Sequence, residues 1–227
     1  MRPGRFLVLE GIDGCGKTTQ IERLSRWLPG SGLMAQGARL VVTREPGGTP
    51  LGLALRQLLL HPPDDAAPAP WAELLLYAAD RAQHVEQRIR PALAAGHWVL
   101  SDRFSGSTAA YQGHGRGLDL ERIAALEAIA TGGLVADVTL WLDLPLELAL
   151  ARRGGRAADR IEAAGQAFLE RVSAGFALLA AERGWQRLEA QAPADAVTAA
   201  ARQRLLRLLA PAAEAGRRPG PEACGDG

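Results

Sequence analysis

The chain has 227 residues, 48% hydrophobic and 22% charged, an ordinary globular composition long enough to bury a sizeable core, which excludes disorder throughout. Its 26 basic and 25 acidic residues give a formal charge of +1, so no global field draws it to nucleic acid or an anionic membrane, and any anion site must be local. Of the basic residues all but Lys17 are arginine. The two cysteines, Cys15 and Cys224, lack the number and spacing of a disulfide framework or a structural zinc site, which fits a reducing compartment. No apolar run approaches the roughly 18 residues that span a bilayer, and Met1–Arg5 leads into a strand without the apolar region of a signal peptide. The expectation is a cytoplasmic chain with no membrane partner.

In chain order the patterns alternate strand and helix. Phe6–Glu10 is a short apolar run closed by glycines, and Lys17–Leu28 carries Ile21, Leu24 and Leu28 at helical spacing before Pro29-Gly30. Leu40–Thr43 predicts a second strand, Leu51–Leu60 a short helix, His61–Pro70 a proline-rich loop and Trp71–Ala95 a long helix ended by Gly96. Next come a strand over His97–Asp102, a polar segment over Arg103–Gly117, a helix over Leu118–Ala130, a strand over Val138–Leu144 and a helix over Pro145–Arg153. Glu162–Arg183 reads as helix, Trp185–Glu189 as a weak last strand and Pro193–Leu209 as the closing helix. Apolar strands separated by helices of ten or more residues predict an α/β fold in three layers, a parallel five-stranded sheet with helices on both faces. No repeat or linker divides residues 1–210, so one domain is expected, and 211–227, mostly Pro, Gly, Ala and charges, reads as a disordered tail.

Gly11-Ile12-Asp13-Gly14-Cys15-Gly16-Lys17-Thr18 fits the phosphate-binding pattern G-x-x-x-x-G-K-[ST], placed after a strand and opening a helix as a P-loop requires. Its backbone N–H groups can curl around an anion, Lys17 can reach the β- and γ-phosphates of ATP, and Thr18 supplies a hydroxyl for Mg²⁺. Cys15 reads as a small filler. The loop names the donor and leaves the acceptor open. A GTPase would need a second lysine for its guanine-reading motif, which this chain does not have, and a motor ATPase would need more chain. A compact phosphotransferase and a regulatory subunit that uses ATP as a switch both remain.

Asp102 ends a predicted buried strand, where a carboxylate can hold Mg²⁺ through water or, more blandly, cap the strand by pairing with Arg103. Thr43–Pro50, with two prolines and two glycines, is either a stiff ligand-facing loop or simply a turn. Arg152, Arg153, Arg156 and Arg160 crowd a short glycine-containing stretch. Such clustering is repulsive without an anion or water, which suggests a lid at about 152–161 closing over phosphates, a solvated helix end being the alternative.

Taken together, Glu10–Thr19, Thr43–Pro50, Tyr77–Arg81, Asp102-Arg103-Phe104 with Ser107–Gly113, and Asp159–Glu162 resemble the bacterial thymidylate kinases, P-loop nucleoside monophosphate kinases, over nearly the whole chain. The resemblance implies phosphoryl transfer from ATP to dTMP with Mg²⁺, and a homodimer packed through helices near Trp71–Ala95 and Arg103–Ala130. It implies that Asp13 orients the acceptor's 3′-hydroxyl and helps position Arg103, and that Arg103 and Arg56 hold the acceptor phosphate. Arg81 would donate to the thymine carbonyl, Thr108 and Gln112 would read the other polar edge, and Tyr111 would fill the space of a 2′-hydroxyl. Tyr77 stands where the family usually stacks a phenylalanine on thymine. The P-loop lacks arginine, so the lid would supply the catalytic one, with Arg156 first, Arg153 next and Arg160 fixing the lid's base. Adenine would lie between the start of the lid and Gln191–Pro193.

Overall fold

The computed structural model describes residues 4–63, 66–154 and 159–210, the side chains of Arg153 and Glu162 excepted. The tail from 211, Arg156 and the side chain of Arg153 therefore lie outside the described residues. Five strands, β1 (Phe6–Glu10), β2 (Leu40–Arg44), β3 (Trp98–Asp102), β4 (Val138–Asp143) and β5 (Gln186–Glu189), form one parallel sheet in the order β2-β3-β1-β4-β5. β1 lies at its centre and all five of its residues are buried, which is why Phe6–Leu9 is apolar without alternation, with Glu10 the buried acid at its end. Phe6 and Val8 face one core layer with Val85, Ile89, Val99 and Phe104, while Leu7 and Leu9 face the other with Leu24, Leu100, Leu140 and Phe176. The edge strand β2 is only partly buried, and Val42 on it is exposed.

Between the strands lie α1 (Lys17–Trp27), α2 (Pro50–Leu60), α3 (Pro70–His84), α4 (Arg90–Ala94), α5 (Ser105–Thr108), α6 (Leu120–Thr131), α7 (Leu146–Arg153), α8 (Gln166–Glu182) and α9 (Ala194–Leu209). The long helix expected over Trp71–Ala95 is α3 and α4 joined by a π-helical turn, Val85–Ile89. The predicted helix over Glu162–Arg183 starts later, because Gly165 at φ 97° breaks the chain before Gln166.

The largest difference falls on Arg103–Gly117, read from the sequence as a polar segment. It is helical as α5 and a π-helical stretch, Ala109–Gly115, and most of it is buried. Its glycines permit this: a Cβ on Gly115 would sit 2.6 Å from Phe168 of α8, and one on Gly113 2.4 Å from Leu120 of α6. The small residues of this segment are the ones that let α6 and α8 close on it.

Parallel register brings the carboxyl ends of β1, β2 and β3 to one edge, where Leu9 and Arg44 both align with Asp102. The three loops carrying the sequence motifs leave from this edge, the usual ligand crevice of an open α/β sheet.

Candidate active site

The loop after β1 turns into α1 through Gly16 at φ 100°, and no side chain caps the helix, so the N–H groups of its first turn are left for an anion. Lys17 is buried, and its Nζ donates to the carbonyl oxygens of Gly11 at 3.0 Å and Ile12 at 3.1 Å, with Asp13 Oδ1 at 3.9 Å. Cys15 packs beneath the loop, and burial pushes its thiol up. Lys17, Thr18, Arg44, Arg56, Asp102, Arg103, Arg152 and Asp159 line a cleft of about 460 Å³. Thr18 is exposed there, and Asp102 Oδ1 is a buried oxygen without a partner among the described residues. No group of three or more His, Cys, Asp or Glu side chains forms a metal cage among the described residues. The donors here are instead a hydroxyl and a carboxylate, hard oxygens of the kind Mg²⁺ takes alongside phosphate and water.

Arg103, just beyond β3, ties three segments together. Its Nη1 donates to Gly11 O at 2.9 Å and Ser107 Oγ at 2.8 Å, and its Nη2 to Asp13 Oδ1 at 2.7 Å and Tyr111 Oη at 3.2 Å. Four of the five guanidinium N–H groups are thus engaged, and Nε–H has no partner among the described residues. Arg103 is also the one non-glycine residue among those described with positive φ, at 72°. Glu10, buried at the end of β1, holds this strained turn by accepting from Phe104 N–H at 3.0 Å, Ser107 N–H at 3.1 Å and Ser107 Oγ at 2.6 Å. Tyr111 Oη donates to Asp13 Oδ2 at 2.9 Å. Burial alone would raise the Asp13 carboxyl, but Arg103 and Lys17 outweigh it and hold the group well below the ordinary carboxylate range.

A second pocket, joined to the first through Asp13, Arg56, Arg103 and Asp159, is lined by Tyr77, Arg81, Phe104, Thr108, Tyr111 and Gln112. It brings together every acceptor-side residue named from the sequence. Arg81, 2% exposed, donates Nε–H to Glu45 Oε2 at 2.8 Å, Nη1–H to Glu127, and Nη2–H to Thr108 Oγ1 at 2.8 Å and Phe104 O at 3.3 Å. Among the described residues it too keeps one N–H without a partner, on Nη1. Thr108 Oγ1 accepts from Arg81, and its hydroxyl proton has no acceptor among the described residues. Arg56 donates Nη1–H to Pro46 O at 3.1 Å, and burial together with the neighbouring Arg44 lowers its guanidinium from the ordinary value. Two arginines drawn together in this way favour an anion between them.

Several members of the network had no role assigned from the sequence: Glu45 and Asp80 lie inside the motifs Thr43–Pro50 and Tyr77–Arg81, and Glu73, His84 and Glu127 lie outside every motif. Glu45, in the loop after β2, also meets His84 Nδ1 at 2.8 Å, and His84 Nε2 lies 2.6 Å from Thr43 Oγ1. That loop contains a cis Glu45–Pro46 bond, and it passes into α2 at Thr49, whose hydroxyl caps the helix by accepting from Gly52 N–H at 3.0 Å. Asp80 accepts from Gly47 N–H at 3.1 Å, and burial next to Glu45 pushes it up to about 6. Glu127 of α6 is pushed up to about 7 by burial, which outweighs the pull of Arg81, with Glu45 adding to the rise. Glu73, fully buried on α3, accepts from Gln112, Arg116 and Arg160. Helical spacing did carry a signal for Glu73, since it stands four residues before Tyr77 and eight before Arg81 on one face. Glu127 gave none, being one acid on an amphipathic helix.

Of the lid arginines, Arg160 donates to Leu59 O at 2.9 Å and Glu73 Oε2 at 2.5 Å, and Arg152 to Ala190 O at 3.0 Å, joining the end of α7 to the loop after β5.

A sequence profile described as thymidylate kinase matches residues 9–201. A thymidylate kinase from Prochlorococcus marinus (strain MIT 9313) is 64% identical over 214 residues, 94% of this chain and 99% of that one. One from Synechococcus sp. (strain WH7803) is 75% identical over 182 residues, 80% and 85% of the two chains. A third, from Synechococcus sp. (strain RCC307), is 66% identical over 194 residues, 86% and 92%.

Proposed function

The chain belongs to the thymidylate kinase family, which phosphorylates dTMP to dTDP, and from that premise we propose how its own residues carry the transfer. The γ-phosphoryl group of ATP passes directly to a 5′-phosphate oxygen of dTMP, and ADP leaves; no covalent enzyme intermediate is needed. The observation that supports this reading is the junction of the two pockets at Arg103 and Asp13: the P-loop cleft, assigned to the phosphate chain of ATP, adjoins the pocket lined by Tyr77, Arg81 and Gln112, assigned to the base. Two anionic substrates repel each other, so the protein's work is to compensate charge and fix geometry.

On the donor side the α1 N-terminus and Lys17 hold the β- and γ-phosphates, while Arg152 and the loop after β5 border the adenine. Thr18, and Asp102 through water, would hold Mg²⁺. Bound with ATP, that ion neutralises part of the phosphate charge. On the acceptor side Arg56 and Arg103 face the phosphate of dTMP, Asp13 orients the 3′-hydroxyl, and Tyr111 occupies the space a 2′-hydroxyl would need. Tyr77 supplies the aromatic platform, with the free N–H of Arg81 directed to a thymine carbonyl and Gln112 reading the adjoining edge. Arg156, with Arg153, supplies lid charge to the transferring group, and Arg160 anchors the lid's base.

We place the enzyme in the cytoplasm as a homodimer. No described helix is long and apolar enough to cross a membrane. Exposed Leu53 on α2, Trp71 and Leu75 on α3, and Leu120 and Ile129 on α6 lie on three helices packed in succession. Light scattering should give twice the 24.0 kDa of one chain, and a 24.0 kDa species would refute the dimer. The reading as a whole is tested by coupled ADP release with dTMP, dUMP, dCMP, dGMP and thymidine as acceptors. dTMP should give the highest kcat/KM; a better acceptor among the others, or no turnover with any, defeats it.

A further inference from the structure

The carboxylate of Glu73 has no part in the chemistry described above, yet it is fully buried and gathers three partners from different segments. Oε1 accepts from Gln112 Nε2 at 2.7 Å, and Oε2 from Arg116 Nη2 at 3.1 Å and Arg160 Nη2 at 2.5 Å. Two guanidinium groups compensate the buried charge, and as a carboxylate Glu73 accepts hydrogen bonds and has none to give.

This fixes which way round the Gln112 amide lies. Turning it over would bring the amide oxygen against a carboxylate oxygen at the 2.7 Å now spanned by a hydrogen bond, two acceptors in repulsive contact. Nε2 therefore faces Glu73, and Oε1, which has no protein partner among the described residues, is the end presented to the base pocket. An acceptor there requires a donor on the ligand.

We propose that Glu73 is a specificity-determining positioning residue: it sets the hydrogen-bonding polarity of Gln112, so that the pocket takes a pyrimidine with N–H at ring position 3, thymine or uracil, and rejects cytosine. This rests on the reading that Gln112 faces the base. Cytosine has a bare ring nitrogen at that position, so its lone pair would meet the amide oxygen. The rejection is strong because the unmatched groups are buried.

The test is the ratio of kcat/KM for dTMP to that for dCMP. In Glu73→Gln the partner is itself an amide that can donate or accept, so Gln112 is free to turn, and the ratio should fall tenfold or more. A merely structural role would lower both substrates alike and leave the ratio intact, which would overturn the proposal. The exchanged pair, Glu73→Gln with Gln112→Glu, keeps the charge and puts an acceptor-only group toward the base. It should hold the wild-type preference for dTMP, and it decides the matter even where the single variant does not fold; a lost preference in the exchanged pair overturns the proposal. Gln112→Leu separates the underlying reading from the inference. If its ratio equals wild type, Gln112 does not read the base and both fall. If its ratio collapses while that of Glu73→Gln holds, the base reading stands and the role of Glu73 is refuted.

Discussion

The two sides of the cleft manage charge by opposite means. The phosphate-binding loop of the donor side is one continuous stretch, Gly11–Thr18, built on glycine geometry, backbone N–H groups and a single lysine, and Lys17 bonds only to its own loop. The acceptor side is assembled from side chains of distant segments. Arg103 and Arg81 each spend four of five N–H groups on the protein and keep one. A phosphate chain that shifts during transfer suits a movable point charge, whereas a base and an acceptor phosphate that must be held in register suit a guanidinium locked on several sides. The arginines accordingly do two kinds of work: some, such as Arg26 and Arg88, sit exposed at the surface, and others, Arg81 and Arg103 among them, tie distant segments together with a fork that lysine lacks.

The largest effect should come from breaking the joint between the two sides. Arg103→Ala removes the group that ties Gly11, Asp13, Ser107 and Tyr111 together, and kcat/KM for dTMP in the coupled assay should fall by about 10³-fold. Lys17→Ala should lower kcat by about 10²–10³-fold while the melting temperature stays close to wild type, since the lysine's bonds are local. Gly48→Ala attacks the acceptor frame without touching ligand: its Cβ would lie 2.5 Å from the buried ring of His84, and denaturant unfolding should show a loss of about 1–3 kcal/mol.

A subtler probe is pH. The folded Glu127 carboxyl, near 7, lies above its ordinary 4.5, so the native state holds this proton more tightly than the unfolded chain does. Its contribution to stability is fully present in acid and is lost as pH rises from about 4.5 through 7. Glu127→Gln should therefore flatten the dependence of melting temperature on pH between 5 and 8; an unchanged slope would place the titration elsewhere. Asp13, held low, stays ionised across that range and should leave no step in it. The smallest effect is expected on the donor side, where Cys15→Ala should cost at most about 1 kcal/mol by the same unfolding measurement.

The same contrast explains what could be read from the chain. The donor loop was legible because its chemistry is contiguous and its glycines follow a fixed spacing. The parallel sheet was legible because β1, β3 and β4 are mostly buried and carry the apolar runs Phe6–Leu9, Trp98–Leu100 and Leu140–Leu142, with polar residues chiefly at their carboxyl ends. The helix over Ser105–Gly115 was hidden because the residues that let it pack, Gly113 and Gly115, are also those that usually mark turns. On the acceptor side the arginines were found through family resemblance, but their carboxylate partners Glu45, Glu73 and Glu127 sit 36, 8 and 46 residues away in sequence from Arg81 and meet it, or its neighbours in the pocket, only in the fold.

The division of labour between a movable lysine and a locked arginine is tested most directly by kcat/KM for dTMP in Arg103→Lys. A lysine keeps the charge but cannot reach Gly11, Asp13, Ser107 and Tyr111 together, and the account predicts a fall of roughly 100-fold or more. Activity within about threefold of wild type would show that charge alone is enough at this position, and would contradict it.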